Sequence, residues 1–311
     1  MNGKMILKKF GLHVEEEPVS IYPFSPVYRV TYGERLVIVK RTQRPFERAQ
    51  NLMRFTLFLR DNGIKVVTPV PLNYDNPQTI GEDTYVVYPF IEGSMYSGKD
   101  SEIYQAGKLL GQIHIHLPEE NLFRLKEYEV FDFKEEEVTK SVEEIEKNAT
   151  LHNVEINKKQ LEDKLIQIVQ QQEVLKNSGI PYVSTPFDLK ANNLIYTPEP
   201  YLIDPDNAMW VPRLFDLALA LLLFHNEHKT APDSVFTPNQ WKQFLHGYNE
   251  YVAFTEAELY YWEKALEHAF LDEVMWLMAE VEEDWANPRQ RNLFISLIQL
   301  LFDSSSYKLE Y

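Results

Sequence analysis

Ser184-Thr185-Pro186-Phe187-Asp188-Leu189-Lys190-Ala191-Asn192-Asn193-Leu194-Ile195-Tyr196, followed shortly by Tyr201-Leu202-Ile203-Asp204-Pro205-Asp206, is the stretch on which the reading of this chain turns. Two short apolar runs flank Thr197-Pro198-Glu199-Pro200, a composition suited to a tight connection between strands. A hairpin closed there brings Asn193, just before one strand, and Asp204, just after the other, to the same end. Asp188 stands on the loop immediately upstream. Two carboxylates and an amide oxygen at one end of a hairpin make a hard, oxygen-rich set suited to Mg²⁺. Alone, the D-x-x-x-x-N spacing is a weak signal, and an Asn-rich loop capping two strands is the plain structural alternative.

On the N-terminal side the composition reads as strands. Val19–Tyr22, Val27–Thr31 and Leu36–Lys40 are rich in Val, Ile and Tyr, with Gly33-Glu34 between the last two. A helix is expected from about Phe46 to Asp61, stopping at Asn62-Gly63, then strands at Val66–Thr68 and Thr84–Pro89. From about residue 93 the period becomes helical. Asp100–His116 places Ile103, Ala106, Leu109, Leu110 and Ile113 on one face. Polar helices are expected over 133–148 and 157–177, and a buried one over 213–226. Thr237-Pro238-Asn239-Gln240 and Thr255 with Glu258 are capping boxes. Helices over 256–284 and 289–303 complete the chain. The fold class is therefore α+β. A small lobe, 1–92, holds an antiparallel sheet and one helix. A joint near 88–94 leads to a larger, mainly helical lobe, 93–311, with the ligand cleft between them.

Composition narrows the function. The chain has 311 residues, 44% hydrophobic and 25% charged, as in soluble globular proteins. It has no cysteine, which excludes disulfides, thiolate catalysis and Cys-ligated metals and fits a cytoplasmic protein. The N-terminus lacks the apolar core of a signal peptide, and the longest apolar run, Leu217–Phe224, is too short for a membrane span. A net charge of −16 argues against nucleic acid as a partner. That charge is uneven. Residues 1–95 carry 12 basic and 10 acidic side chains, and the remainder 19 and 37. An acidic second part attracts cationic ligands, although solvated helix faces account for it more simply.

The motifs together resemble the protein-kinase-like fold, and within it the aminoglycoside phosphotransferase and choline kinase group. There the loop reads H-G-D-x-x-x-x-N and an I-D strand end follows about ten residues on. Asp188, Asn193 and Asp204 fit that spacing. Five further stretches fall in the family order: Val37-Ile38-Val39-Lys40, Tyr85 to Gly93, Gly111-Gln112-Ile113-His114, Arg213 to Ala218 and Phe244 to Tyr248. The resemblance implies that Asp188 accepts the proton of an acceptor hydroxyl and that Lys190 steadies the γ-phosphate. It implies that Asn193 and Asp204 hold Mg²⁺ and that Lys40 grips the α- and β-phosphates of ATP or GTP. The Pro89 carbonyl and the Ile91 N–H would meet the base, and Phe24-Ser25-Pro26-Val27 would cover the phosphates. His114 reads as a packing residue, and Asp216 as a brace for the catalytic loop. Three departures stand out. Pro186 replaces the loop histidine, and the loop at Ser25 has no glycine. Glu47, the only acidic residue between Lys40 and Asp61, lies early in its helix for pairing with Lys40, where Gln50 is the uncharged substitute.

The expected function is ATP- and Mg²⁺-dependent phosphorylation of a hydroxyl on a small molecule such as an antibiotic, amino-alcohol or sugar. A cationic acceptor would meet Glu227, Asp272, Glu273, Glu280 and Asp284. On one continuous helix, Glu273, Glu280 and Asp284 share a face. Trp262, Trp276 and Trp285 are alternative pocket walls. The competing reading, fed by the three departures, is a catalytically weak or inactive binding or assembly protein of the spore-coat type. The oligomeric state is not legible.

Overall fold

The computed structural model describes residues 2–22, 25–42, 45–115 and 120–309. It opens with a helix that the N-terminal composition does not announce, α1 (Gly3–Lys9), where Asn2 Oδ1 accepts from the Met5 N–H at 3.0 Å. β1 (Val27–Tyr32) and β2 (Arg35–Thr42) form a hairpin whose turn holds Gly33 at φ +62, a conformation that favours glycine. Then come α2 (Phe46–Asp61), β3 (Gln78–Ile80) and β4 (Asp83–Pro89). The four strands make one antiparallel sheet in the order β1-β2-β4-β3. Two expected strands do not form. Val19–Tyr22 is irregular, and Val19 is 84% exposed, so its apolar residues have no core to enter. Val66 makes only a single bridge, to Leu202.

The period of two along β2 and β4 sorts the sheet's faces. Val37, Val39, Tyr85 and Val87 are buried in one cluster with Ile6, Leu7 and Phe10 of α1. The alternate residues Ile38 and Lys40 look out on the opposite side, beside Val86 and Tyr88, whose small cluster takes in Val67, Ile91 and Ile203. Lys40 is thus aimed away from α1 by strand geometry alone.

The rest is mainly helical: β5 (Ser94–Met95), α3 (Asp100–Ile115), β6 (Lys126–Glu127), α4 (Glu135–Leu151), α5 (Lys158–Val169), α6 (Gln172–Lys176), β7 (Tyr182–Thr185), β8 (Leu194–Tyr196), β9 (Pro200–Leu202), β10 (Met209–Pro212), α7 (Arg213–Leu223), α8 (Pro238–Tyr248), α9 (Glu256–Ala269), α10 (Met275–Glu280), α11 (Glu282–Ala286) and α12 (Pro288–Phe302). Both capping boxes form, at Thr237–Gln240 and Thr255–Glu258. The helix expected over 157–177 is divided between α5 and α6. The one expected over 256–284 is broken by a π-helical turn at Phe270–Val274 and by Val281, whose φ of −108 and ψ of 75 are not helical. No helix among the described residues is long and apolar enough to cross a membrane.

One large core joins the helices, and α2 contributes Leu52, Phe55 and Leu59 to it. Phe55 meets Phe123 with ring centroids 5.3 Å apart, so α2 is tied to the helical body. α3 and α8 cross closely on glycines. A Cβ at Gly107 would overlap the Phe244 carbonyl, and one at Gly247 the Tyr104 carbonyl. That crossing anchors the helix carrying His114, which bonds Asp216, the residue that also holds Thr185.

Candidate active site

β8 and β9 pair antiparallel, Leu194 opposite Leu202, and the Ile203 N–H donates to the Asn193 carbonyl at 2.9 Å. This hairpin sets Asn193 and Asp204 at one end, as the spacing predicts. Upstream, β7 pairs with β10, and the loop leaving Thr185 carries Phe187 at φ +48 and Asp188 at φ +69. Left-handed backbone at two successive non-glycine residues costs of order 1–3 kcal/mol each and concentrates at functional sites. The strain is held locally. The Asn193 Nδ2 donates to the Asp188 carbonyl at 2.9 Å, and the Ala191 N–H to the Phe224 carbonyl at 2.9 Å.

The loop stands on a buried polar network. Asp216 Oδ2 accepts from the Thr185 hydroxyl at 2.7 Å and bonds His114 Nε2 at 2.8 Å. Tyr248 OH lies 2.8 Å from His114 Nδ1 and stays protonated, because burial pushes its phenol well above the ordinary value. The His114 ring is thus held between the Tyr248 hydroxyl and the Asp216 carboxylate. Asp216 thus braces the loop through a hydroxyl and an imidazole. His114 is the packing histidine expected. With Pro186 where a histidine was expected, the brace comes from Thr185, one position earlier.

A cleft of about 960 Å³ gathers Ser25, Lys40, Pro89, Ile91, Asp188, Lys190, Asn193, Asp204 and Glu227. Phe24 lies outside the described residues. Lys40 Nζ sits 2.7 Å from Asp204 and 3.0 Å from Asp206. Burial alone would lower its pKa, but Asp206 and Asp204 outweigh that and hold it above its ordinary value. Asp188 is pushed up by burial; Lys190 opposes the rise, and Asp204 and Glu227 add to it. Lys190 bridges Asp188 at 3.2 Å and Glu227 at 3.1 Å, and these two carboxylates overcome the cost of its burial and raise its pKa. Asn207 Nδ2 lies 3.4 Å from Asp188 Oδ2. Asp206 and Asn207 thus join the site although the sequence reading gave them no role. The signal was present in Asp204-Pro205-Asp206-Asn207, where the chain turns back past the cleft.

Other expected residues are placed elsewhere. Glu47 is exposed in the first turn of α2 and away from the cleft lining, and Gln50 is exposed too; Lys40 makes its ion pairs with Asp204 and Asp206. Glu273 and Asp284 are not among the residues lining the cleft. Burial lifts the Glu273 carboxyl to about 7, with Asp272 and Asp188 adding and Lys190 opposing. Burial lifts Asp284 to about 6, with Glu227 and Glu283 adding and Lys190 opposing. Both therefore lie close enough to sense the catalytic loop. Glu280 is exposed at the end of α10, because the π-turn and the break at Val281 remove the continuous face it was to share. Asp272 accepts from Tyr128 OH at 2.6 Å. Of the tryptophans, Trp262 and Trp285 are core residues donating to the Tyr307 and Met278 carbonyls, while Trp276 is exposed.

Comparison with known proteins agrees with this geometry. The spectinomycin phosphotransferase APH(9)-Ia, solved with ADP and spectinomycin, superposes with a TM-score of 0.63 at 16% identity, covering 97% of each chain. A microcompartment-associated aminopropanol kinase gives 0.68 at 14%, covering 99% of this chain and 98% of that one. Choline kinase LicA from Streptococcus pneumoniae gives 0.58 at 19%, covering 96% and 98%. At these identities the likeness establishes the kinase-like fold. No curated protein matches the sequence significantly. The family model described as a phosphotransferase enzyme family, APH, matches residues 24–262, well over half of the chain. The chain belongs to the APH phosphotransferase enzyme family.

Proposed function

We propose that this protein is a nucleotide- and Mg²⁺-dependent kinase that phosphorylates a hydroxyl of a cationic small molecule, an amino-alcohol or aminoglycoside. The observation that carries the reading is one cleft holding Asp188, Lys190, Asn193, Asp204 and Lys40, with Glu227 on its wall and Glu273 and Asp284 beside it. Lys40 contacts the α- and β-phosphates, the backbone at Ser25 covers them, and the Pro89 carbonyl and Ile91 N–H meet the base of ATP or GTP. Asp188 orients the acceptor hydroxyl and takes its proton as the oxygen–phosphorus bond forms and the bond to the bridging oxygen breaks. Lys190 follows the charge that develops on the γ-phosphoryl group. Phosphoryl transfer needs mainly positioning and charge neutralisation, and this set supplies both.

The donor set fits a hard divalent cation. Asn193 spends its amide N–H on Asp188, which leaves its oxygen for a ligand, and Asp204 and Asp206 already share a cation in the Lys40 ammonium. Asn193 and Asp204 would hold Mg²⁺, which neutralises phosphate charge when bound. The acceptor's cation is drawn by Glu227, Glu273 and Asp284; burial first, and neighbouring carboxylates second, hold Glu273 and Asp284 above their ordinary pKa values.

Thermal unfolding with Mg²⁺ and ATP or GTP, each also omitted, tests the donor half. A Mg²⁺-dependent rise that disappears in Asp204→Ala is expected. Nucleotide diphosphate release over a panel of amino-alcohols, aminoglycosides and neutral sugars then tests the acceptor. Turnover confined to neutral sugars would refute the cationic assignment. No response to either nucleotide would return the chain to a binding or assembly role.

A further inference from the structure

Asp206 lines two cavities: the large cleft, and a second of about 90 Å³ bounded by α2, the chain leading into β6 and the segment 206–209. We propose that this second cavity binds a phosphate-type oxyanion. Arg48, Arg124 and Lys126 all line it. Among the described residues none of the three makes an ion pair, whereas Lys65, Lys108, Lys158, Lys164 and Arg213 each meet a carboxylate. Three cations without an ion-pair partner converge on one cavity and repel one another, with Asp272 acting on Lys126 only at longer range. In a chain of net charge −16, where carboxylates are plentiful, that arrangement is the reverse of what random placement gives. The carboxylate on the lining, Asp206, is neutralised by Lys40 at 3.0 Å.

The cavity is built as well as charged. Asn51 is only 5% exposed; its Nδ2 donates to the Arg124 carbonyl at 3.1 Å and its Oδ1 accepts from Arg54. That bond holds Arg124 at φ +51 against the cavity. Leu52, Leu125 and Met209 give it an apolar floor, which lowers the local dielectric and strengthens any ion held above. One water needs on the order of 10–15 Å³ of such space, so a tetrahedral oxyanion has room. Two guanidinium forks match phosphate oxygens in pairs, which an ammonium alone does not do. An oxyanion seated here bridges α2 to the segment that follows Asp204, on the side of Asp206 away from the cleft.

The test is calorimetric titration of the full chain with inorganic phosphate and, separately, with glycerol 3-phosphate, at fixed ionic strength. Wild type, Lys40→Gln and the double variant Arg48→Gln with Lys126→Gln are compared. Binding is expected in wild type, somewhat weaker but retained in Lys40→Gln, where Asp206 loses its cation, and at least about tenfold weaker in the double variant. All three cavity side chains are exposed, so the double variant should melt with wild type in the absence of ligand; if it does not, Arg124→Gln replaces it. Tighter inorganic phosphate supports a free ion as occupant, and tighter glycerol phosphate supports the phosphate of a metabolite. Binding lost in Lys40→Gln but kept in the double variant places the phosphate in the nucleotide cleft and overturns the proposal. So does no binding of either compound by wild type.

Discussion

Replacing Glu273 by Gln should make the free protein more stable at neutral pH and a poorer catalyst. The carboxyl of Glu273 is half-buried, with Asp272 and Asp188 nearby and Lys190 only partly compensating, and its pKa rises from 4.5 to about 7. The folded state therefore binds this proton more tightly than the unfolded chain does. Stability attached to the group is greatest below pH 4.5 and is lost as the pH rises through about 7. At about 1.4 kcal/mol per pH unit the loss is at most roughly 3 kcal/mol, and partial exposure reduces it to about 1–2 kcal/mol. Glu273→Gln removes the charge and keeps the shape. Denaturant unfolding of both proteins from pH 4 to 9 should show curves that coincide near pH 4, separate as the pH climbs, and run parallel above about pH 8, with the variant on top. In turnover the variant should show a raised KM for a cationic acceptor and an unchanged KM for nucleotide. A variant equal to or less stable than wild type at pH 8 would refute the reasoning. It would mean that the Glu273 carboxylate is already compensated in the free protein rather than held in reserve for a cation.

Other expectations follow from the same geometry. Asp188→Asn should lower kcat by about 10²–10⁴-fold while nucleotide binding, measured by calorimetry, is kept, since Asp188 holds the acceptor's proton and not the phosphates. Lys40→Ala removes the cation between Asp204 and Asp206, so the KM for nucleotide should rise at least about tenfold, with the acceptor KM little changed in steady-state kinetics. Thr185→Val deletes the hydroxyl donor to buried Asp216, and chemical denaturation should show a loss of about 1–3 kcal/mol, with a lower kcat from the loosened loop. Gly247→Ala drives a methyl group into the Tyr104 carbonyl at the α3–α8 crossing, and should cost at least about 2 kcal/mol in the same assay.

Local chemistry made several elements legible. The two capping boxes placed helix starts to the residue, because a Thr side chain and a Gln or Glu three positions on satisfy each other's backbone N–H groups without help from the rest of the fold. The Val-Ile-Val run before Lys40 and the apolar runs around Thr197–Pro200 became strands for the same reason. Val19–Tyr22 has equal strand propensity and is not one. Pairing needs a partner edge and a face to bury, and neither is encoded within four residues. α1 went unseen because seven residues carry too little periodicity to stand out, and its Ile6 and Leu7, with Phe10 at the C-cap, are fixed by packing on the sheet.

The site divides along the same line. The sequence predicted Asn193 and Asp204 at one end of a hairpin with Asp188 just upstream, and short-range pairing of β8 with β9 brings them there. The sequence also determined the side of β2 from which Lys40 emerges, because strand residues alternate. Only the tertiary structure decided what those residues meet. Asp206 rather than Glu47 shares Lys40 with Asp204, because α2 turns its first-turn glutamate to solvent. Asp216 takes Thr185 and His114 in place of a loop histidine, through contacts spanning 31 and 102 residues. Glu280 is exposed while Glu273 and Asp284 are half-buried, because one π-turn and one non-helical valine break the helix face the three were to share. Spacing fixes neighbours within a few bonds of each other. Side chains tens of residues apart are brought together by packing, and packing is a property of the whole chain.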